Sequence, residues 1–435
     1  MPEFFMRRWT SILLGAVLTA AFIGPGTVTT AAAAGAGYGL ALLWALTFST
    51  LACWTLQEAA ARLAICSGRP LAEALRHQFG GWKGVAVRLL VLGAIVLGNA
   101  AFEVGNVLGA VAGLELVFDA PRRLLVLGVG VLSGILLWFG TLRMLPRVLG
   151  AFVAFMGLAF LVTALRVHPP DATLLRHLVW PAQPEGAGLL VVGLIGTTVV
   201  PYNLFLGSGL ARDEPLDATR FGLAVAIVGG GLISMAVLVV GTAVHGAFTY
   251  EALAETLGRT LGAWARTLFA LGLFAAGFTS ALTAPIAAAI TARGLLRAPN
   301  ASAHDRTYRI TWLVVWSSGM LLSLLDLRPI PAFITAQALN GVLLPIVAVF
   351  LWIATNDPRL MGRDGLTSPG LNVLAGLSVG VAVLLGLRNL LAALQAAGMG
   401  PALSESLLLK LAGGITFFLL LLLSRYLYRL RRPAP

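Results

Sequence analysis

Charge is scarce in this sequence. Asp, Glu, Lys and Arg make up 11% of 435 residues against 58% hydrophobic side chains. Apolar runs of about twenty residues, the length that crosses a bilayer as a helix, recur along the chain. No soluble core could bury so much apolar surface, which excludes a soluble globular domain and leaves a polytopic membrane protein with the lipid bilayer around it. Cysteine is nearly missing: Cys53 and Cys66 lie on one expected helix, roughly 20 Å apart along its axis at 1.5 Å per residue. They cannot bridge each other, so the redox compartment stays open. The five histidines, His77, His168, His177, His245 and His304, are dispersed over loops and helix ends, and no zinc-type spacing arises. A phosphate-cradling Gly-Lys-Ser/Thr motif is absent, which excludes ATP hydrolysis on this chain. Neither catalytic residues nor a cofactor is expected, and any energy used comes from an ion gradient. The net charge of +12 is spread over short loops with no continuous basic stripe, so nucleic acid is not an expected partner.

Windows of about nineteen residues place helices near 10–39, 40–66, 85–114, 122–142, 145–166, 186–210, 219–244, 264–293, 309–326, 332–355, 370–393 and 405–428. The first segment, with Arg7 and Arg8 before an apolar stretch, can also be read as a cleaved signal peptide. Against that, the Ala/Gly run continues to Tyr38 and Trp44 without a polar mature start. A cytoplasmic N-terminus puts about two-thirds of the Lys and Arg in cytoplasmic segments, as the positive-inside rule asks. Both termini are then cytoplasmic, and a bacterial plasma membrane is the expected location. Arg425, Arg429, Arg431 and Arg432 are placed to meet anionic headgroups. Loops are short, so residues 1–435 read as one integral membrane domain.

Two interruptions stand out against this background. Gly24-Pro25-Gly26-Thr27 and Pro201-Tyr202-Asn203 each fall well inside an apolar segment, at matching places in the two halves of the chain. Backbone freed from helical bonding at membrane depth is tolerated only where it is buried in protein or faces a cavity. Paired breaks of this kind point to a transporter's substrate site. They imply two five-helix repeats, about 10–166 and 186–355, with additional helices over about 370–428. An odd number of helices per repeat inverts one against the other. The glycines of Gly35-Ala36-Gly37-Tyr38-Gly39 follow no strand and are read as close helix packing rather than a nucleotide loop.

Ionisable groups inside a membrane default to functional hypotheses. Glu58 precedes Arg62 by four positions, the spacing at which a carboxylate and a cation meet on one helix face, and is read as a structural ion pair. Glu103 lies deep in the third helix between Asn99 and Asn106. It is a candidate for gating or ion coupling, against a carboxyl held structurally by amides. At the breaks, Thr27, Thr29, Thr30, Thr197, Thr198, Tyr202 and Asn203 supply hydroxyls and an amide, and Gln337 and Asn340 add polar groups in the tenth helix. A single such threonine ordinarily bonds back to its own helix; the concentration at both breaks carries the argument.

The stretch from Gly24-Pro-Gly-Thr-Val-Thr-Thr through Ala34-Gly-Ala-Gly-Tyr38-Gly-Leu-Ala-Leu-Leu-Trp44 resembles the first two helices of the Nramp family of divalent metal transporters, which carry D-P-G-N and A-G-A-x-x-G-Y-x-L-L-W. Leu56-Gln57 with Ala61-Arg62-Leu63, Glu103-Val104, Ile195 through Ser208, Leu268 through Gly277 and Ala336-Gln337 are similar to further motifs of that family. The resemblance implies an all-α membrane protein of the leucine-transporter type, with inverted five-helix repeats, about twelve membrane helices, and helices one and six broken, and it implies a monomer.

It also implies a metal site, and here the sequence departs. The family's metal-binding Asp, Asn and Met, and the residue giving a backbone carbonyl, match Gly24, Thr27, Val200 and Thr197. The histidines of its P-H-N and L-H-S motifs match Tyr202 and Gly207, and a third-helix Asp matches Ala100. A carboxylate, an amide and a thioether are lost together. Hydroxyl, carbonyl and water ligands suit hard ions, and thioether and imidazole suit softer ones, so the family's transition-metal selectivity is not expected. The expected activity is secondary transport of a cation, a hard metal ion, by alternating access. Its expected site is Gly24, Thr27, Thr197, Val200, Tyr202, Asn203 and Gln337, with Glu103 the nearest anionic group. Two alternatives are a transporter of a small neutral or zwitterionic solute, and a non-transporting membrane sensor, since a plant ethylene-signalling protein also has an Nramp-like membrane domain.

Overall fold

The computed structural model of the protein describes residues 23–78, 81–139, 145–168, 171–296, 305–325, 329–396 and 404–431. Among these residues the regular structure is helical throughout. In chain order the helices are α1 Pro25–Tyr38, α2 Leu43–Ser67, α3 Leu71–Gln78, α4 Gly81–Glu115, α5 Arg122–Phe139, α6 Leu145–Val167, α7 Ala172–Val179, α8 Gly188–Thr198 and α9 Pro201–Ala211. After them come α10 Leu216–Gly241, α11 Tyr250–Leu261, α12 Trp264–Leu296, α13 Arg306–Ser323, α14 Pro329–Ala354, α15 Pro358–Met361, α16 Pro369–Ala396 and α17 Glu405–Arg431. Nine segments of the described residues are long and apolar enough to cross a membrane, α1 and α2 counting as one and α8 and α9 as another. The short helices α3, α7 and α11 connect them.

The second interruption is present, shifted toward the N-terminus from its sequence position, and at the first the described chain enters its helix at the expected glycine. Gly24 is extended (φ −80°, ψ 168°) and caps α1, so Pro25, Gly26 and Thr27 form the first helical turn. At the second break α8 ends at Thr198, Val199 and Val200 are non-helical, and Pro201 opens α9. Proline fits the first turn of a helix, where its missing N–H would be unbonded anyway, and it pushes the residue before it out of the helical region. At the second break the chain therefore unwinds before the proline rather than at it. The segment expected before Gly24, residues 10–22, lies outside the described residues.

Glycine seams set which helices touch. A side chain at Gly35 would overlap the Leu238 carbonyl of α10, and one at Gly241 would press on the Ala32 carbonyl of α1. The α4–α12 pair repeats the device: Gly113 faces the backbone of Ala270 and Phe274, and Gly277 that of Asn106 and Ala110. Small residues let membrane helices approach to backbone contact. The Gly35 expectation is met, while Gly37 of the same motif has no described atom near it and Gly39 adopts φ +59° to turn the chain after α1.

Candidate substrate site

The breaks face each other. Thr27 Oγ1, in the first turn of α1, and Thr197 Oγ1, in the last turn of α8, lie 2.8 Å apart, and both residues are buried. Thr198, beside the second break, donates to its own helix at Leu194 O (2.9 Å) and accepts from Ser49 Oγ of α2 (3.1 Å). On the other side of Thr27, Thr29 Oγ1 donates to Pro25 O at 2.7 Å and lies 2.7 Å from the Tyr250 hydroxyl of α11. Burial pushes the Tyr250 phenol up from its usual value, so it stays protonated and available for that bond. The α11 helix is thereby pinned across α1 next to the break.

Val200, Tyr202 and Asn203 sit together at the start of α9. Val200 caps the helix, and its carbonyl accepts the Asn203 N–H at 3.1 Å. Asn203 is 1% exposed, and among the described residues neither its side-chain oxygen nor its nitrogen has a partner. A buried amide left open on both atoms is costly unless something else satisfies it. Tyr202 turns toward α4, where its ring meets Phe102 edge-on at 5.8 Å. The neighbour of Phe102 is Glu103, which is fully buried. Its Oε2 accepts a 3.4 Å bond from Asn106 Nδ2, and its Oε1 is unpartnered. Asn99 instead donates to its own helix at Ile95 O. Room for Glu103 comes from Gly319 of α13, where any side chain would overlap the carboxylate's stem.

The expected site residues thus divide. Gly24, Thr27 and Thr197 are brought together at the two breaks, Val200 and Asn203 follow on α9, and Tyr202 leads toward Glu103. The side chains of Gln337 and Asn340 lie outside the described residues. Where the family pattern has a histidine at position 207, Gly207 makes space for Gln57 of α2, whose Oε1 would touch a side chain there at 2.5 Å. The expected Glu58–Arg62 pair forms at 3.2 Å, and Arg220 of α10 joins it, with Nη2 2.8 Å from the same Glu58 oxygen. Sequence reasoning also missed Ser280 of α12, which faces Gly24; the polar run Thr279-Ser280 in an otherwise apolar helix was the available signal. Among the described residues no three His, Cys, Asp or Glu side chains gather into a metal-binding group.

A helix interrupted between α8 and α9, its break facing the first turn of α1 within an apolar bundle, is the architecture of a broken-helix membrane transporter. Residues 15–392 match the family described as natural resistance-associated macrophage protein-like. A protein of Verminephrobacter eiseniae (strain EF01-2), named divalent metal cation transporter MntH, is 30% identical over 82% of this chain and 84% of its own length. One of the same name from Klebsiella pneumoniae (strain ATCC 700721 / MGH 78578) is 28% identical over 82% and 88%. The chain belongs to the Nramp family. In structure it is similar to the Eremococcus coleocola manganese transporter, solved in complex with an aromatic bis-isothiourea substituted compound, with a TM-score of 0.70 and 20% identity over 98% of this chain and 95% of that one. It is also similar to Mhp1, a nucleobase-cation-symport-1 family transporter, with a TM-score of 0.56 and 14% identity over 96% and 92%. The fold is of the leucine-transporter type with inverted repeats.

Proposed function

We propose that this protein is a secondary transporter that carries a hard metal cation by alternating access. The observation that carries the reading is the contact between the two breaks: Thr27 and Thr197 join at 2.8 Å, with a glycine where the family pattern has a carboxylate and a neutral hydroxyl where it has an amide. The curated relatives named divalent metal cation transporters support a metal ion as cargo. Stripping a divalent ion of water without a carboxylate costs more than hydroxyls return. The ion that suits this site keeps part of its hydration, as magnesium-like ions do because they dehydrate reluctantly. Glu103 is the anionic group assigned to gating or coupling. The reading takes residues 1–435 as one domain, with repeats over about 10–166 and 186–355, both termini cytoplasmic, in a bacterial plasma membrane.

One observation favours a second reading. The unpartnered Asn203 nitrogen is a donor, which a cation cannot use but a neutral or zwitterionic solute can. Proteoliposome uptake of Mg²⁺, Mn²⁺ and Na⁺ tests both readings. Mg²⁺ uptake that resists competition by Cd²⁺ is the expected result. Strong Mn²⁺ uptake abolished by Cd²⁺ overturns the hard-ion assignment, and no cation flux alongside solute-dependent thermal stabilisation favours the solute.

A further inference from the structure

The α12 helix carries four hydroxyls along its second half, and three of them are accounted for. Thr279 Oγ1 donates to Ala275 O at 2.8 Å, Thr283 Oγ1 to Thr279 O at 2.9 Å and Thr291 Oγ1 to Ala287 O at 2.8 Å. Back-bonding of this sort is where a helical hydroxyl in an apolar bundle ordinarily goes. Ser280 is the exception. It is 7% exposed, and among the described residues its Oγ makes no hydrogen bond to its own helix or to any neighbour.

That free hydroxyl faces the first break. A side-chain carbon built on Gly24 would lie 3.6 Å from Ser280 Oγ, and no other described atom comes within 4 Å of it. Thr27 is three residues further along α1, on the same helix face as position 24, and its hydroxyl meets Thr197 of α8. Ser280 of α12 therefore brings a hydroxyl oxygen to the space that glycine leaves at position 24, at the start of the helix whose first turn carries the Thr27 hydroxyl that meets Thr197 of α8.

Building on the transport reading above, we propose that Ser280 is a substrate-contacting residue that determines specificity. Its oxygen offers a lone pair to an oxygen-preferring, partly hydrated cation seated against Gly24, where the family pattern carries a carboxylate. The hydroxyl keeps its proton, which remains free to bond a water of the ion's shell or the Thr27–Thr197 pair. A neutral hydroxyl in that position selects for hard ions with retained water and removes the charge that would hold a softer divalent ion dry.

Two measurements on the full-length protein, Mg²⁺ uptake into proteoliposomes and the Mg²⁺-dependent rise in melting temperature, test the assignment with Ser280→Ala and Ser280→Cys. Loss of one neutral oxygen contact to the cation, taken as about 1.4 kcal/mol, raises the apparent KM for Mg²⁺ about tenfold, with kcat nearly unchanged and the melting shift reduced in step. Ser280→Cys, nearly the same shape, raises Cd²⁺ uptake relative to Mg²⁺, a ratio that a packing role would not move. It also reads the site if the alanine variant folds poorly. Unchanged KM, melting shift and Cd²⁺ preference in both variants overturn the role of Ser280. Wild-type protein that shows the melting shift, lost in Ser280→Ala, but no flux overturns transport and leaves Ser280 a cation ligand. No shift and no flux overturn both.

Discussion

Position 24 holds a glycine at the point where α1 begins, and the neighbourhood has room for more: a carbon added there would meet Ser280 Oγ at 3.6 Å, an ordinary contact. Val200, 5% exposed, has the same apolar character as the methionine the family pattern places there. Charged and soft ligands are absent at these positions, while Gly24 still precedes the first turn of α1 and Val200 still caps α9. Combining Gly24→Asp, Thr27→Asn and Val200→Met should therefore create transition-metal binding. The expected outcome is Mn²⁺ or Cd²⁺ affinity at least about tenfold above wild type, since a carboxylate and a thioether favour those ions over hydroxyls. Isothermal calorimetry on purified protein measures it. A folded triple variant with unchanged affinity would show that the backbone at the breaks does not present these positions to one ion. The threonines at the breaks were legible in sequence because they cluster beside glycine and proline, which punctuate a helix locally. Ser280 left only the Thr279-Ser280 pair as a signal, because a serine in an apolar helix looks the same whether it bonds backward or faces a ligand.

At the scale of elements, glycine decides which helices can meet. Gly35 and Gly37 stand two residues apart in one Ala/Gly run, and the sequence treats them alike. The structure separates them: Gly35 points at the Leu238 carbonyl of α10, and Gly37 has nothing described within 4 Å. Gly35→Ala must push α1 and α10 apart and is expected to cost about 1–3 kcal/mol through overpacking. Gly37→Ala removes a flexible residue from an exposed helix position and is expected to be neutral or to stabilise by up to about 1 kcal/mol. Thermal unfolding of the two variants in one detergent gives opposite signs; equal destabilisation would refute the seam. The helical architecture, the existence of the second break and its pairing with the start of α1 followed from hydropathy and from Gly/Pro placement, signals that act over a few residues. The position of the second break did not, because proline in an apolar run reads as an interruption, whereas Pro201 begins α9 and the unwinding falls on Val199 and Val200.

Across the whole molecule, the ends of several helices are tied by one chain of charges far from the breaks. Glu58 of α2 bonds Arg62 on its own helix and Arg220 on α10. Arg62 reaches on to Thr367 Oγ1 at 3.0 Å, and Arg431 of α17 donates to Thr367 O at 2.6 Å. The sequence showed the Glu58–Arg62 spacing but not Arg220, which lies 162 positions away and is joined to it only by the fold. One carboxylate, 1% exposed, thus sits between two guanidiniums, and of these Arg62 is 3% and Arg220 37% exposed. Removing its charge leaves Arg62 buried without a counter-ion, which costs about 3–5 kcal/mol for a fully buried pair; Arg220 adds little because water reaches it. Glu58→Gln is expected to lower the melting temperature strongly for that reason. Asp217→Asn supplies the contrast, since Asp217 is 99% exposed and 3.9 Å from the same Arg220, and its loss should change stability by less than about 0.5 kcal/mol. If the two variants melt together, the charge chain does not hold these helix ends, and the contact of α2 with α10 rests on packing such as that of Gly231 against Thr50.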